Sequence, residues 1–339
     1  YPPPFYLLYP FPILENQSLV VSSSLLFAAG FLGNLIALFI LWLHKLHAKK
    51  TSVFYVLVTV LTVTNLMGKC LLCPVVQVAY FQNQSLVGMT GNLNLCKVFG
   101  FLMIFCGLAP TFILLAMAVD CWLALGYPFF YQENINKKLA LLVSLILYVF
   151  CLGFCCLPFF GFGRYKQYCP GTWCFIQMTA EESSTSALAY SMLYGTIMGL
   201  LILAIVFCNL MIMKNLYQMY KRENEKGIPS ANFPNQQEPA GMEELEHLIL
   251  LAIMTVLFAA CSFPLTARVY VGAFKGEKNE YADLTVLRLL SVNSTLDPWI
   301  FIICRTSKFR GHLKALCSKI QLLSISNPFP LLDATKCDL

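Results

Sequence analysis

Two cations stand where a chain normally avoids them. Arg288 lies in the apolar stretch Asp283–Arg305, and Lys69 lies in another, Val53–Tyr80. Each stretch is long enough for a helix across a hydrocarbon core of about 30 Å, which takes roughly 20 residues. A cation at that depth costs at least about 2.5–3.5 kcal/mol, so it is kept only where it faces protein, water or an anion. A guanidinium is a planar fork that holds a carboxylate through two parallel N–H···O bonds. The chemistry open to this pair is anion binding, a fixed grip on one carboxylate beside a long apolar slot. The competing uses are an internal ion pair of Arg288 with Asp283 and, for Lys69, snorkelling or pairing with a polar group. Catalysis has no comparable support. There is no phosphate loop and no His-Glu-x-x-His, and His44, His47, His247 and His312 meet no carboxylate or cysteine at ligand spacing. No catalytic centre, metal site or cofactor is expected.

Pro298, beside Asp297, removes a backbone hydrogen bond from its own stretch, a gap that neighbouring helices or polar side chains must repair. Asn65 and Lys69 share one face of theirs. Such stretches need a bundle around them, and the composition supplies it. Of 339 residues, 58% are hydrophobic and 12% charged, against about 45–50% and about 25% in soluble domains. Apolar blocks run over 20–43, 53–80, 95–125, 139–160, 187–217, 245–271 and 284–304. The expected fold class is an all-α membrane protein, a seven-transmembrane helix bundle.

The net charge of +6 calls for no nucleic acid, because cytoplasmic connections of membrane proteins collect Lys and Arg. With the amino terminus outside, all but eight of the 23 cations fall in cytoplasmic segments; the eight are Lys69, Lys97, Arg164, Lys166, Arg268, Lys275, Lys278 and Arg288. Residues 1–19 are then extracellular and 305–339 cytoplasmic. No cleavable signal pattern is present. The chain opens YPPPFYLLYPFP, and its amino terminus is expected to be trimmed or incomplete, with the first span serving as the targeting signal.

Asn16-Gln17-Ser18 and Asn83-Gln84-Ser85 are glycosylation acceptors on the outer side, whereas Asn293-Ser294-Thr295 lies within the last span. Of 15 cysteines, Cys96, Cys169 and Cys174 face the oxidising side. A Cys96–Cys174 bridge is expected to pin the loop after span four across the bundle mouth, leaving Cys169 without a partner; three free thiols are the alternative. Residues 306–317 set Phe309, Leu313 and Leu316 along one face, as a short helix on the membrane surface would. Cys317 at its end is a palmitoylation candidate or a plain thiol.

Gly33-Asn34 in span one, Cys261-Ser262-Phe263-Pro264 in span six and Asp297-Pro298-Trp299-Ile300-Phe301 in span seven resemble the rhodopsin-like G-protein-coupled receptors, over nearly the whole chain. Asp-Pro-Trp-x-Phe and the outer-loop run Pro170-Gly171-Thr172-Trp173-Cys174-Phe175 are similar to the prostanoid branch. The resemblance implies a plasma-membrane receptor for a prostaglandin, a lipid carboxylate, coupled through a stimulatory heterotrimeric G protein to cyclic AMP. It implies that Tyr80 and Thr172 complete the carboxylate clamp with Arg288, that Trp173 roofs the pocket, and that Lys69 contacts the ligand and tunes selectivity. At the inner face, Asp120-Cys121-Trp122 takes the place of an acidic-Arg-Tyr motif, without its arginine. Phe129 takes that of an apolar residue that inserts into the G protein, and Pro264 that of the span-six hinge. Asn34, Asn65, Asp297 and Pro298 fall in the activation core.

Two departures from the family bear on signalling. Asn65 replaces an aspartate and Pro110 a serine, so sodium-sensitive allostery is not expected and coupling is expected to be altered or weakened. Pro110 is expected to bend span three, at up to roughly 3 kcal/mol where uncompensated. Plainer readings make Tyr80 an interfacial aromatic and Phe129 a lipid-facing one. The rival functions are a prostaglandin E2-type receptor and a weakly signalling scavenger; a carrier would show an internal repeat, and none is visible.

Overall fold

In the computed structural model the backbone is described for residues 17–47, 52–179, 185–225, 240–275 and 279–305. Asn16, the expected surface helix and Cys317 lie outside the described residues. The spans, one to seven, are Gln17–His47, Val53–Gln82, Asn94–Gly126, Lys137–Cys156, Thr185–Glu225, Ala240–Lys275 and Glu280–Arg305. All are long and apolar enough to cross a membrane. Each expected block falls inside one of them, the fourth running on into a 3-10 turn, Leu157–Phe160. Two shorter helices, Leu86–Thr90 and Pro128–Asn134, follow spans two and three at opposite ends of the bundle.

Lipid tails are as apolar as leucine, so small residues and polar contacts dock the helices on one another. Span one meets span seven at Gly33, where a Cβ would stand 2.7 Å from the Trp299 indole nitrogen. That nitrogen donates to the Ala29 carbonyl at 3.1 Å. Large side chains such as Leu203, Phe207 and Val256 point outward, as the lipid requires.

The prolines in spans two, three, six and seven, Pro74, Pro110, Pro264 and Pro298, all sit inside continuous helices. Pro298 frees the carbonyl of Ser294, and Asn34 of span one donates its amide to that oxygen at 3.2 Å while also bonding Gly30 O at 2.7 Å. The gap in span seven is thus repaired from span one. Beside Pro110, the Thr111 hydroxyl donates to Gly107 O at 2.7 Å.

One end of the bundle is covered by a hairpin of strands β1 (Tyr165–Tyr168) and β2 (Trp173–Ile176), antiparallel, with Tyr168 opposite Trp173. A Cys96–Cys174 disulfide joins it to span three. Its turn carries Gly171 at φ 101, a conformation for which glycine has no Cβ penalty, and a Cβ there would lie 2.9 Å from that of Ser85. The hairpin is stitched to the segment after span two by Leu86 N–H to Gly171 O in its turn and Val87 N–H to Gln167 Oε1 in β1, both 2.9 Å.

Cys169, in the same turn, is outside the disulfide. Burial raises its thiol pKa above the ordinary value, and the nearby Glu280 carboxylate raises it further. The thiolate is the reactive form, so neutral maleimide labelling of Cys169 at pH 7–8 is expected to be slow. Glu280→Gln, which removes the opposing negative charge, should accelerate it severalfold, as peptide mass spectrometry after timed labelling would read.

Candidate ligand-binding site

At the hairpin end a cavity opens among spans one, two, three and seven, with about 890 Å³ of free space counting its mouth. Leu26 and Phe27 of span one, Leu72 and Val76 of span two and Met103 of span three give it apolar walls. Into this slot project both cations, Arg288 and Lys69, together with Tyr80, Trp173, Ser291 and Ser294.

Arg288 is half-buried and pairs with no carboxylate among the described residues. Asp283, its candidate partner along the helix, is taken instead by Arg268 of span six, whose Nε donates to Oδ1 at 2.6 Å with both side chains buried. Tyr80 is 7% exposed and Thr172 wholly buried, so the tyrosine is not an interfacial aromatic. The Thr172 hydroxyl donates to the Tyr80 phenol oxygen over 3.4 Å, which ties the hairpin to span two at the cavity wall. Trp173 stands edge-on to Phe99, ring centroids 6.4 Å apart, and both line the space.

Lys69 does not snorkel. Only 4% of it is exposed, and its ammonium donates to the Ser291 carbonyl of span seven at 3.0 Å. Gly30 makes room for the arm: a Cβ there would sit 2.7 Å from Lys69 Cε and 3.1 Å from Thr295 Oγ1. Gly30→Val is therefore expected to destabilise the bundle by about 1–3 kcal/mol through overpacking. Combining it with Lys69→Ala should remove most of that loss, a coupling that thermal unfolding of the four variants measures.

Deeper in, Asn65 donates to Asp297 Oδ2 at 3.0 Å. A smaller cavity is lined there by Asn65, Pro110, Thr111, Asn293 and Asp297. Asn34 of the activation core stands apart from this pair: its Nδ2 donates to the carbonyls of Gly30 and Ser294. Leu290 and Ser294 line both cavities, so the two share a wall. Asn293 carries the contact on to span six by donating to Ser262 Oγ at 3.1 Å, close to Pro264.

At the opposite end, Asp120 is buried and accepts a hydrogen bond of 2.9 Å from the Tyr131 hydroxyl on the helix Pro128–Asn134. Tyr131 thus contacts the acid where an arginine would follow it in the family motif. Cys121 is buried, Trp122 meets Tyr127 edge-on at 5.7 Å, and Phe129 is 84% exposed. Asn83 is exposed beyond the end of span two in a left-handed conformation, whereas Asn293 lies within the bundle. Sequence reasoning missed Arg268 as the owner of Asp283, and Gly30; the buried acid at the start of span seven was the signal for the first.

A bundle with a cation-bearing slot at one end, a buried amide–carboxylate core and spans that carry internal prolines has the architecture of a seven-helix receptor. The model of the 7 transmembrane receptor (rhodopsin family) matches residues 33–301. The chain is 50% identical to the prostaglandin D2 receptor of Mus musculus over 317 residues, 88% of each chain. It is 49% identical to that of Homo sapiens over 330 residues, 91% of this chain and 92% of the other. Identity with the prostaglandin E2 receptor EP2 subtype of Homo sapiens is 40% over 318 residues, 88% and 86% of the two. The chain belongs to the rhodopsin family of seven-transmembrane receptors, in its prostanoid branch. It is a multi-pass membrane receptor and not an enzyme.

Proposed function

We propose that this receptor binds a prostaglandin, with prostaglandin D2 preferred, and signals through a stimulatory G protein to raise cyclic AMP. The observation that carries the reading is Arg288, a cation lining an apolar slot while the nearest acid in its helix is committed to Arg268. The ligand's carboxylate lies on the Arg288 fork, with Tyr80 and Thr172 as further donors. Trp173 closes the slot above it, and Lys69 contacts the ligand and tunes selectivity. The hairpin end is extracellular, where a disulfide persists and Asn83 carries a glycan.

A ligand pressing on Leu290 and Ser294 acts on the wall shared with the Asn65–Asp297 core. The Asn293–Ser262 bond passes the bias to span six, which swings about Pro264. Ligand binding favours that state by its differential affinity. The G protein then docks at the end bearing Asp120, Cys121, Trp122 and Phe129. Cyclic AMP measured across the prostaglandin series is expected to respond to D2 at least tenfold more sensitively than to E2. Failure of every prostaglandin to displace a labelled one would sink the reading. Lys69→Glu with unchanged affinity would remove that residue from the site. Cys121 in place of the motif arginine, with Asn65 and Pro110, favours weak coupling as the second reading; binding without cyclic AMP would select it.

A further inference from the structure

At the end away from the hairpin, spans one, two, six and seven converge on a cluster of rings and cations that ligand binding does not use. Arg305, closing span seven, donates through Nη1 to the Tyr55 hydroxyl at 2.7 Å and lies 3.0 Å from His44 Nδ1 through Nη2. Its guanidinium also covers the Tyr55 ring, 5.3 Å from the centroid, and the His44 ring packs on that same ring with centroids 4.1 Å apart. Tyr55 is held from two helices in this way. His247 of span six sits against this assembly, stacked on Phe54 at 4.2 Å and edge-on to Tyr55 at 5.0 Å. Its Nε2 is buried without a hydrogen-bond partner among the described residues, so its imidazole acts here as an aromatic wedge.

Spans two and six do not pack against each other along their length; span six lies between five and seven. The stack is therefore a reach across the bundle by the end of one helix. Spans three and six have no ion pair among the described residues, and Cys121 provides no cation for one. We infer that His247 on Phe54 and Tyr55, with Tyr55 braced by Arg305 and His44, is a latch that holds the end of span six inward and sets the receptor's resting activity. This rests on the reading that span six swings outward to admit a G protein.

His247→Ala and Phe54→Leu each weaken the stack, while His247→Phe preserves it. At equal surface density in intact cells, the first two are expected to raise basal cyclic AMP at least threefold, and His247→Phe to match the parent. Hydrogen–deuterium exchange of the full chain in nanodiscs should show faster exchange of the helix following His247 in the two weakened variants. Unchanged basal cyclic AMP in both overturns the latch as a regulator, whatever the exchange shows. Should no prostaglandin raise cyclic AMP in the parent, the reading of stimulatory coupling fails separately. The exchange comparison then decides alone, and equal rates overturn the contact.

Discussion

Arg288→Ala is expected to lose prostaglandin binding while keeping the fold. The guanidinium is half-buried and bonds no other described side chain, so its removal strands no protein partner. The loss falls on the ligand, whose carboxylate would lose its two-pronged partner and keep Tyr80 and Thr172 as donors. Truncating one side of a buried, hydrogen-bonded charge pair costs about 2–5 kcal/mol, or roughly 30-fold to several thousand-fold in affinity at about 1.36 kcal/mol per decade. Arg288→Lys should fall between, since an ammonium keeps the charge but not the two-pronged geometry. The prostaglandin methyl ester supplies the control. It should bind the parent weakly and lose little more on Arg288→Ala, because both changes delete one interaction. Competition binding at matched receptor density reads all four corners. An Arg288→Ala receptor that still discriminates acid from ester would place the grip elsewhere.

The spans were legible because twenty-odd apolar residues with few charges have no stable alternative in water, and the cations because lipid makes them costly. What lay across the bundle was not. Asp283 was a plausible mate for Arg288 only along the chain, yet five residues at about 100° each put the two side chains on different faces. The acid met Arg268 of the neighbouring span instead. The break at Pro298 predicted that something must satisfy the freed carbonyl of Ser294. That the donor would be Asn34 depends on how spans one and seven are registered, which Gly33 and Trp299 set by close contact. Lys69 was recognisable as buried, but its bond to Ser291 and the space left by Gly30 belong to the same three-helix junction. Sequence patterns identify what needs a partner; packing chooses it.

Breaking the Arg268–Asp283 pair is expected to be the most destabilising polar change at the hairpin end. The two side chains are 7% and 4% exposed, and Arg268 Nη2 also reaches the Asn279 carbonyl at 3.4 Å, so the pair joins span six to the start of span seven. Asp283→Ala takes from a buried guanidinium the carboxylate 2.6 Å away, and Arg268→Ala takes from a buried carboxylate its cation; losing one side of such a pair costs about 3–5 kcal/mol. Replacing both at once, Arg268→Met with Asp283→Leu, should recover most of that loss, because two apolar side chains incur no desolvation penalty. Thermal unfolding in detergent, followed on all four proteins, measures the coupling. Ligand binding gives the same variants a second use. With Asp283 bound to Arg268, Asp283→Ala should leave the affinity of surviving receptor for a prostaglandin acid within about threefold. If Asp283 were instead the acid that neutralises Arg288, removing it would free that cation and tighten binding, and the carboxylate grip proposed above would have to be rebuilt around a different resting state.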